Sequence, residues 1–245
     1  MAMGLERIAA EARCESKLRF TSLAHHISRE RVWGNLCQIP NNSAPGVDGQ
    51  TVAQAKESFE DWIEPMLQSM HRQGYKAPEI RRVYIPKPGK SEKRPLGVPC
   101  VTDRALQRST AQVLSAIYEQ DFMPCSFGGR EGLGAHRALA TLNEVIAGGR
   151  VSWVLEADLK NFFGSLNHEW VLRFVEHRVG DPRVISLIQR WLKAGVMEDG
   201  EIHPNGEGTP QRGAISVLLS NLYIRCSPLG RKAAPQATSW ELGPL

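Results

Sequence analysis

Trp153-Val154-Leu155-Glu156-Ala157-Asp158-Leu159-Lys160-Asn161-Phe162-Phe163-Gly164-Ser165 is the stretch on which the reading of this chain turns. Its apolar start predicts a short strand that ends on one carboxylate, Asp158, and then turns past two adjacent aromatic rings. A strand end holds a side chain at a defined point, as a metal ligand requires. Two rings directly after a turn are costly to leave in water, so they should pack or line a pocket. The same pattern also fits an ordinary strand end with a capping or turn aspartate, and the surrounding chain has to choose between the two.

With 245 residues, 42% of them hydrophobic and 23% charged, the chain has a globular composition and is long enough to bury a sizeable core. It contains no apolar run of membrane-spanning length, so no membrane partner is expected. Met1-Ala2-Met3-Gly4-Leu5-Glu6-Arg7 lacks the pattern of a signal peptide. Cys14, Cys37, Cys100, Cys125 and Cys226 are scattered, with no Cys-x-x-Cys pair, which argues against a disulfide framework and against a zinc site. A reducing, cytoplasmic location is the expectation. The net charge is only +4, but Arg72 to Arg108 holds ten basic residues against three acidic ones. Such a cluster is an electrostatic footprint for phosphates, or else a solvated basic face.

Outward from the opening stretch, the pattern predicts helices over most of 5–38, a turn-rich loop at Asn41–Gly49, and a helix through Val52, Ala55, Phe59, Ile63, Met66 and Met70 with Pro65 as a kink or boundary. Glu79–Pro86 and Arg94–Pro99 read as two strands of a basic hairpin across Lys87-Pro88-Gly89-Lys90-Ser91. In it, Lys87 and Arg94 are expected to clamp a phosphate chain. Asp103 is expected to cap the next helix, whose buried stripe is Leu106, Val113, Leu114 and Ile117. Cys125–Gly132 is a glycine-rich loop, and Ala135, Leu139, Leu142 and Ile146 form an amphipathic helix stopped by Gly148-Gly149, with His136 at its start in a surface or capping role. Asn167 should cap a helix whose first turn carries His168, read as structural. Asp181-Pro182 starts another helix, through Val184, Leu187, Ile188, Trp191 and Leu192. Asp199-Gly200 is a hairpin signal, and Gly208–Gly213 is a loop before a helix with Ile215, Leu218, Leu219 and Leu222 inward. From Cys226 the composition turns to Pro, Gly and Ala without a period, which reads as poorly ordered or foreign to the fold.

Four of these segments, in this order, resemble group II intron reverse transcriptases. Ala44-Pro45-Gly46-Val47-Asp48-Gly49 is similar to the N-terminal extension of the bacterial members. Arg81–Lys87, Lys93–Pro99 and Asp103-Arg104 look like the fingers motifs. Asp158–Phe163 resembles the first catalytic palm motif, and Gly208–Ser216 the later loop-plus-helix motif. The resemblance implies an α/β (α+β) right-hand polymerase: a helical extension over 1–75, fingers over 76–150, a partial palm over 151–225 and a non-family tail over 226–245. It also implies template-directed nucleotidyl transfer with two magnesium ions. Its expected ligands are a structured intron RNA, an RNA template with a DNA primer, and a deoxynucleoside triphosphate. By the same resemblance Asp158 and the carbonyl of Leu159 are metal ligands. Lys87 and Arg94 hold the triphosphate, Phe162 presents its backbone to it, Phe163 is the gate against a 2′-hydroxyl, and Gln211 touches the nucleotide or template pair. Arg81, Arg82, Lys90 and Lys93 are the expected RNA contacts.

The family pattern also needs a later Tyr-x-Asp-Asp hairpin, and the sequence has no aspartate after Asp199. Arg212 replaces a usual glycine, and Gly128-Gly129-Arg130-Glu131-Gly132 departs from Gly-Phe-Arg-Pro-Gly-Arg. The expectation is an incomplete polymerase, inactive alone, with its frame interrupted near Arg225. The alternative is a non-catalytic, maturase-like module that binds intron RNA.

Overall fold

A computed structural model describes residues 3–86, 89, 93–149, 151–159, 162–204, 208 and 213–226. Among these, the helices are α1 (Met3–Cys14), α2 (Arg29–Cys37), α3 (Val52–Glu57), α4 (Phe59–His71), α5 (Val101–Tyr118), α6 (Ala135–Ala147), α7 (His168–Glu176), α8 (Pro182–Leu192) and α9 (Ala214–Cys226). The strands are β1 (Ile80–Pro86), β2 (Lys93–Val98), β3 (Val196–Glu198) and β4 (Glu201–His203).

Helix α5 is the axis of the molecule. Val101, Ala105, Leu106, Val113, Leu114, Ile117 and Tyr118 are all buried, a wide apolar face that leaves only a narrow polar strip around Arg104, Arg108 and Gln112 outward. The hydroxyls of Ser109 and Thr110 would be a liability there, but they donate to the carbonyls of Ala105 (2.8 Å) and Leu106 (3.0 Å) one turn back. α1, α2, α3 and α9 pack around this helix, and α7 joins through α9. A single continuous core runs from Ile8 to Leu222, so the N-terminal helices share one interior with the C-terminal ones.

Two buried charged residues fasten this arrangement. The Arg178 guanidinium donates to the Ala12 carbonyl (3.1 Å), the Ser16 carbonyl and the Asp121 carboxylate (3.0 Å). It thereby satisfies carbonyls at the end of α1 that the helix itself cannot. Asp181 caps α8 and also accepts the N–H groups of Leu23 and Ala24.

The basic hairpin forms as the sequence predicts, β1 against β2, with Ile85 opposite Arg94 and Arg81 opposite Val98. The β3–β4 hairpin turns on Asp199 and Gly200, with φ of 50° and 87°, the left-handed geometry a two-residue turn demands. β3 then pairs with β1 in parallel, Ile80 opposite Val196, giving the sheet order β2-β1-β3-β4. Residues 196–203, within the range expected to form the palm, therefore lie in one sheet with the fingers hairpin.

Three expectations need correction. Residues 151–159 do not form a strand. A strand exists through its hydrogen-bonded neighbour, and among the described residues none runs beside this segment, where Trp153 and Leu155 are each 92% exposed. The helix through 52–70 breaks at Ser58 rather than at Pro65, which sits inside α4. The Ser58 hydroxyl donates to the Gln54 carbonyl (2.9 Å), ending α3. Asp103 is not the cap of α5, because that position is Cys100. Asp103 lies in the first turn with its carboxylate turned inward.

Helix α6 forms where its period predicts, yet it buries no residue, and Leu139, Leu142, Val145 and Ile146 are exposed. The tail from 227 lies outside the described residues.

Candidate active site

The Phe162–Gly164 segment is one turn of 3₁₀ helix. Its geometry is set by the residues that lead from it into α7. Ser165 donates twice to the Phe162 carbonyl, from its N–H and from its hydroxyl, each at 3.2 Å. Leu166 is fully buried, and Asn167 caps α7 by accepting the Trp170 N–H at 3.0 Å. The two rings thus leave the turn in different surroundings. Phe162 packs edge-on to Phe163 (centroids 5.7 Å) and to Tyr223 of α9 (6.3 Å), which itself meets Phe174 of α7 (5.6 Å). Phe162 is part of the packing between α7 and α9, and Phe163 stands at the outer end of that row.

The later loop comes to the same turn. Gly208 has φ +82°, and a Cβ there would lie 2.7 Å from the Phe163 carbonyl oxygen and 2.8 Å from the Gly164 Cα. Only glycine fits so close an approach at that φ. Its N–H donates to the Leu166 carbonyl (2.8 Å), and its own carbonyl lies 2.6 Å from His168 Nε2. A carbonyl can only accept, so Nε2 carries the proton.

Asp158 and Leu159 are exposed, four and three residues before Phe162 in the sequence. Lys87, Lys90 and Gln211 lie outside the described residues, and Arg94 is placed by its backbone opposite Ile85. Lys93 is exposed. Arg81 is committed elsewhere: its Nε and Nη2 donate to the Pro45 carbonyl at 3.1 and 2.7 Å. Arg82 faces Glu198 at 3.7 Å. These two arginines hold the sheet together and pin the 44–49 loop. Arg104 helps by donating to the Ala44 carbonyl (2.7 Å). Gly46 lies so close to Cys100 that a Cβ would meet its Cα at 2.5 Å. Burial pushes the Cys100 thiol up to about 11, so it is a packed, un-ionised group.

Two residues that organise this region, Asp103 and His168, carry no local signal in the sequence for the contacts they make, although Asp103 falls in a segment that resembles a family motif. Asp103 is buried and accepts from Tyr75 (2.5 Å), Trp191 (2.7 Å) and Gln107 (2.8 Å), joining α5 to α8 and to the approach to β1. Burial raises its carboxyl and the three donors oppose that rise. Nothing local distinguishes such an aspartate from a helix cap. His168 gives no signal beyond its place in the first turn of α7.

The chain matches the reverse transcriptase (RNA-dependent DNA polymerase) family over residues 85–228. It therefore belongs to that family. It is 32% identical over 224 residues to the group II intron-encoded protein LtrA of Lactococcus lactis subsp. cremoris, covering 90% of this chain and 37% of that protein. It is 33% identical to protein YkfC of Escherichia coli K12, covering 89% of this chain and 59% of that one. The chain thus spans less than two thirds of the length of each of these relatives. Among solved structures, a chain of a "Partial Cas6-RT-Cas1--Cas2 complex" superposes with a TM-score of 0.53 at 21% identity, over 84% of this chain and 34% of that one, a likeness of fold.

A divalent metal goes with the family. Asp158 and the Leu159 carbonyl are hard oxygen donors of the kind magnesium takes, and magnesium commonly uses one or two carboxylates with substrate phosphates and water. Among the described residues no group of three His, Cys, Asp or Glu side chains forms a self-sufficient site.

Proposed function

We propose that this chain forms the nucleotide-binding part of an RNA-directed DNA polymerase of the group II intron type. In this reading it joins a deoxynucleotide to a primer 3′-hydroxyl on an RNA template. The observation that carries the reading is the seating of Gly208 against the Phe163 carbonyl, by which two segments that resemble separate polymerase motifs meet at one turn, four residues after Asp158 in the sequence.

In this reading Phe163 faces the sugar, and its ring leaves no room for a 2′-hydroxyl. Phe162, locked into the α7–α9 packing, keeps the turn from yielding under that contact. Asp158 and the Leu159 carbonyl hold magnesium, which when bound activates the attacking oxygen and neutralises triphosphate charge. Lys87, Arg94 and Gln211 complete the contacts to triphosphate and template pair. Exposed Lys93 and its neighbour Lys90 meet RNA phosphates, with Arg81 and Arg82 bracing the hairpin that carries them. Structured intron RNA is the partner that the named relatives suggest.

Primer extension on an RNA template with magnesium tests this. Extension lost in Asp158→Asn supports it, and extension unchanged in that variant rules it out. The second reading, a module that binds intron RNA without catalysis, is favoured by the lack, among the described residues, of any group of three side chains that could hold a metal ion. Salt-sensitive RNA binding with no extension by the wild-type chain would select it.

A further inference from the structure

Both backbone polar groups of Gly208 are bound by residues at the entry to α7, just past the Phe162–Gly164 turn. Its N–H is held by the Leu166 carbonyl and its carbonyl by the His168 imidazole. Between these two bonds Gly208 is pressed onto the Phe163 carbonyl, with no room for even a methyl group. The Phe163 carbonyl is thus supported by a residue 45 positions away in sequence. His168 is itself well anchored. It is the first residue of α7, behind the Asn167 cap, on a helix whose Val171 and Val175 are buried.

We propose that His168 is a positioning residue for sugar discrimination. By holding Gly208 against the Phe163 carbonyl it fixes the height of the Phe163 ring over the ribose of the incoming nucleotide. The inference rests on the reading of Phe163 as the sugar gate. A side chain that donates from the place of Nε2 maintains the contact. One that fills the same volume without a donor leaves a buried carbonyl unpaired, and Gly208 moves off the turn to find water.

Two readouts test this on the full chain with a template–primer oligonucleotide and magnesium chloride. The first is the ratio of dissociation constants for ATP and dATP. The second is hydrogen exchange at the Gly208 amide. The wild type should prefer dATP. Phe163→Ala should collapse the preference without speeding exchange at Gly208. His168→Phe should lower the preference about five- to tenfold, the range that one lost buried hydrogen bond allows, and should speed that exchange. His168→Gln, whose amide nitrogen reaches the position of Nε2, should restore both to within about twofold. Wild-type discrimination in His168→Phe, with Phe163→Ala collapsed, overturns the positioning role and leaves the gate standing. Unchanged Gly208 exchange in His168→Phe overturns it as well. A wild type without preference, or a Phe163→Ala variant that keeps it, removes the gate and this inference together. Circular dichroism on each variant separates these results from a failure to fold.

Discussion

The Asp181 carboxylate accepts the N–H of Leu23 at 2.8 Å, joining the cap of α8 to a segment 158 residues earlier in the chain. The same oxygen takes the Ala24 N–H (2.9 Å), and the Arg183 guanidinium closes over both oxygens at 2.8 and 2.9 Å. Asp181 is 0% exposed. Burial alone would raise its carboxyl, but the Arg183 guanidinium and the N–H groups of Ala24, Leu23 and Arg183 outweigh it and hold the group down at about 2.

The pH dependence of stability is set by that depression. The folded value lies below the ordinary 3.8, so the unfolded chain takes up the proton first. The contribution is fully present above about pH 4 and is lost as pH falls toward 2, by roughly 2 kcal/mol. Asp181→Asn should remove this acid-dependent part and lower stability near neutrality by about 2–3 kcal/mol. Urea denaturation of both proteins across the acid range measures it. Parallel curves would contradict the assignment.

The Asp103 cluster predicts an unequal pair of variants. Asp103→Ala leaves Tyr75, Trp191 and Gln107 with donors facing a void, which should cost about 3–5 kcal/mol. Tyr75→Phe removes one donor and leaves two on the carboxylate, and should cost about 1–2 kcal/mol. Thermal melts establish the order. A Tyr75→Phe variant as damaged as Asp103→Ala would mean that the hub is not the carboxylate.

Contact between Gly46 and Cys100 makes the 44–49 loop a lock on the start of α5. Gly46→Ala forces a methyl group into the Cys100 backbone, which has to shift, at about 1–3 kcal/mol. The readout is thiol chemistry. Cys14, Cys37 and Cys125 are exposed and should react promptly with a disulfide reagent, whereas buried Cys100 should lag in the native protein. In Gly46→Ala, Cys100 should react faster. Unchanged labelling would show that the loop yields without disturbing α5.

The exposed apolar side chains of α6 and of residues 151–159 should attract hydrophobic dyes and drive self-association. Leu142→Glu with Leu155→Lys should lower dye binding and raise solubility while changing stability by less than about 0.5 kcal/mol, because neither side chain is buried. A large loss of stability would mean that these side chains are packed in solution.

What the sequence determined by itself was local. The Asp181-Pro182 start of α8, the Asp199-Gly200 turn, the β1–β2 hairpin and the inward stripes of α5, α8 and α9 come from caps, turn chemistry and period, each written within a few neighbouring residues. The order of four motifs carried the family. Tertiary structure alone decided the rest. It set β3 parallel to β1, buried Asp103 instead of leaving it as a cap, and spent Arg81 on the Pro45 carbonyl. It also left 151–159 with no neighbouring strand among the described residues and brought Gly208, held by His168, onto the Phe163 carbonyl. Each of these joins residues far apart in the chain, or depends on whether a neighbouring strand is present. A strand, a buried charge and a backbone clamp are defined by their partners, and no local pattern names a partner.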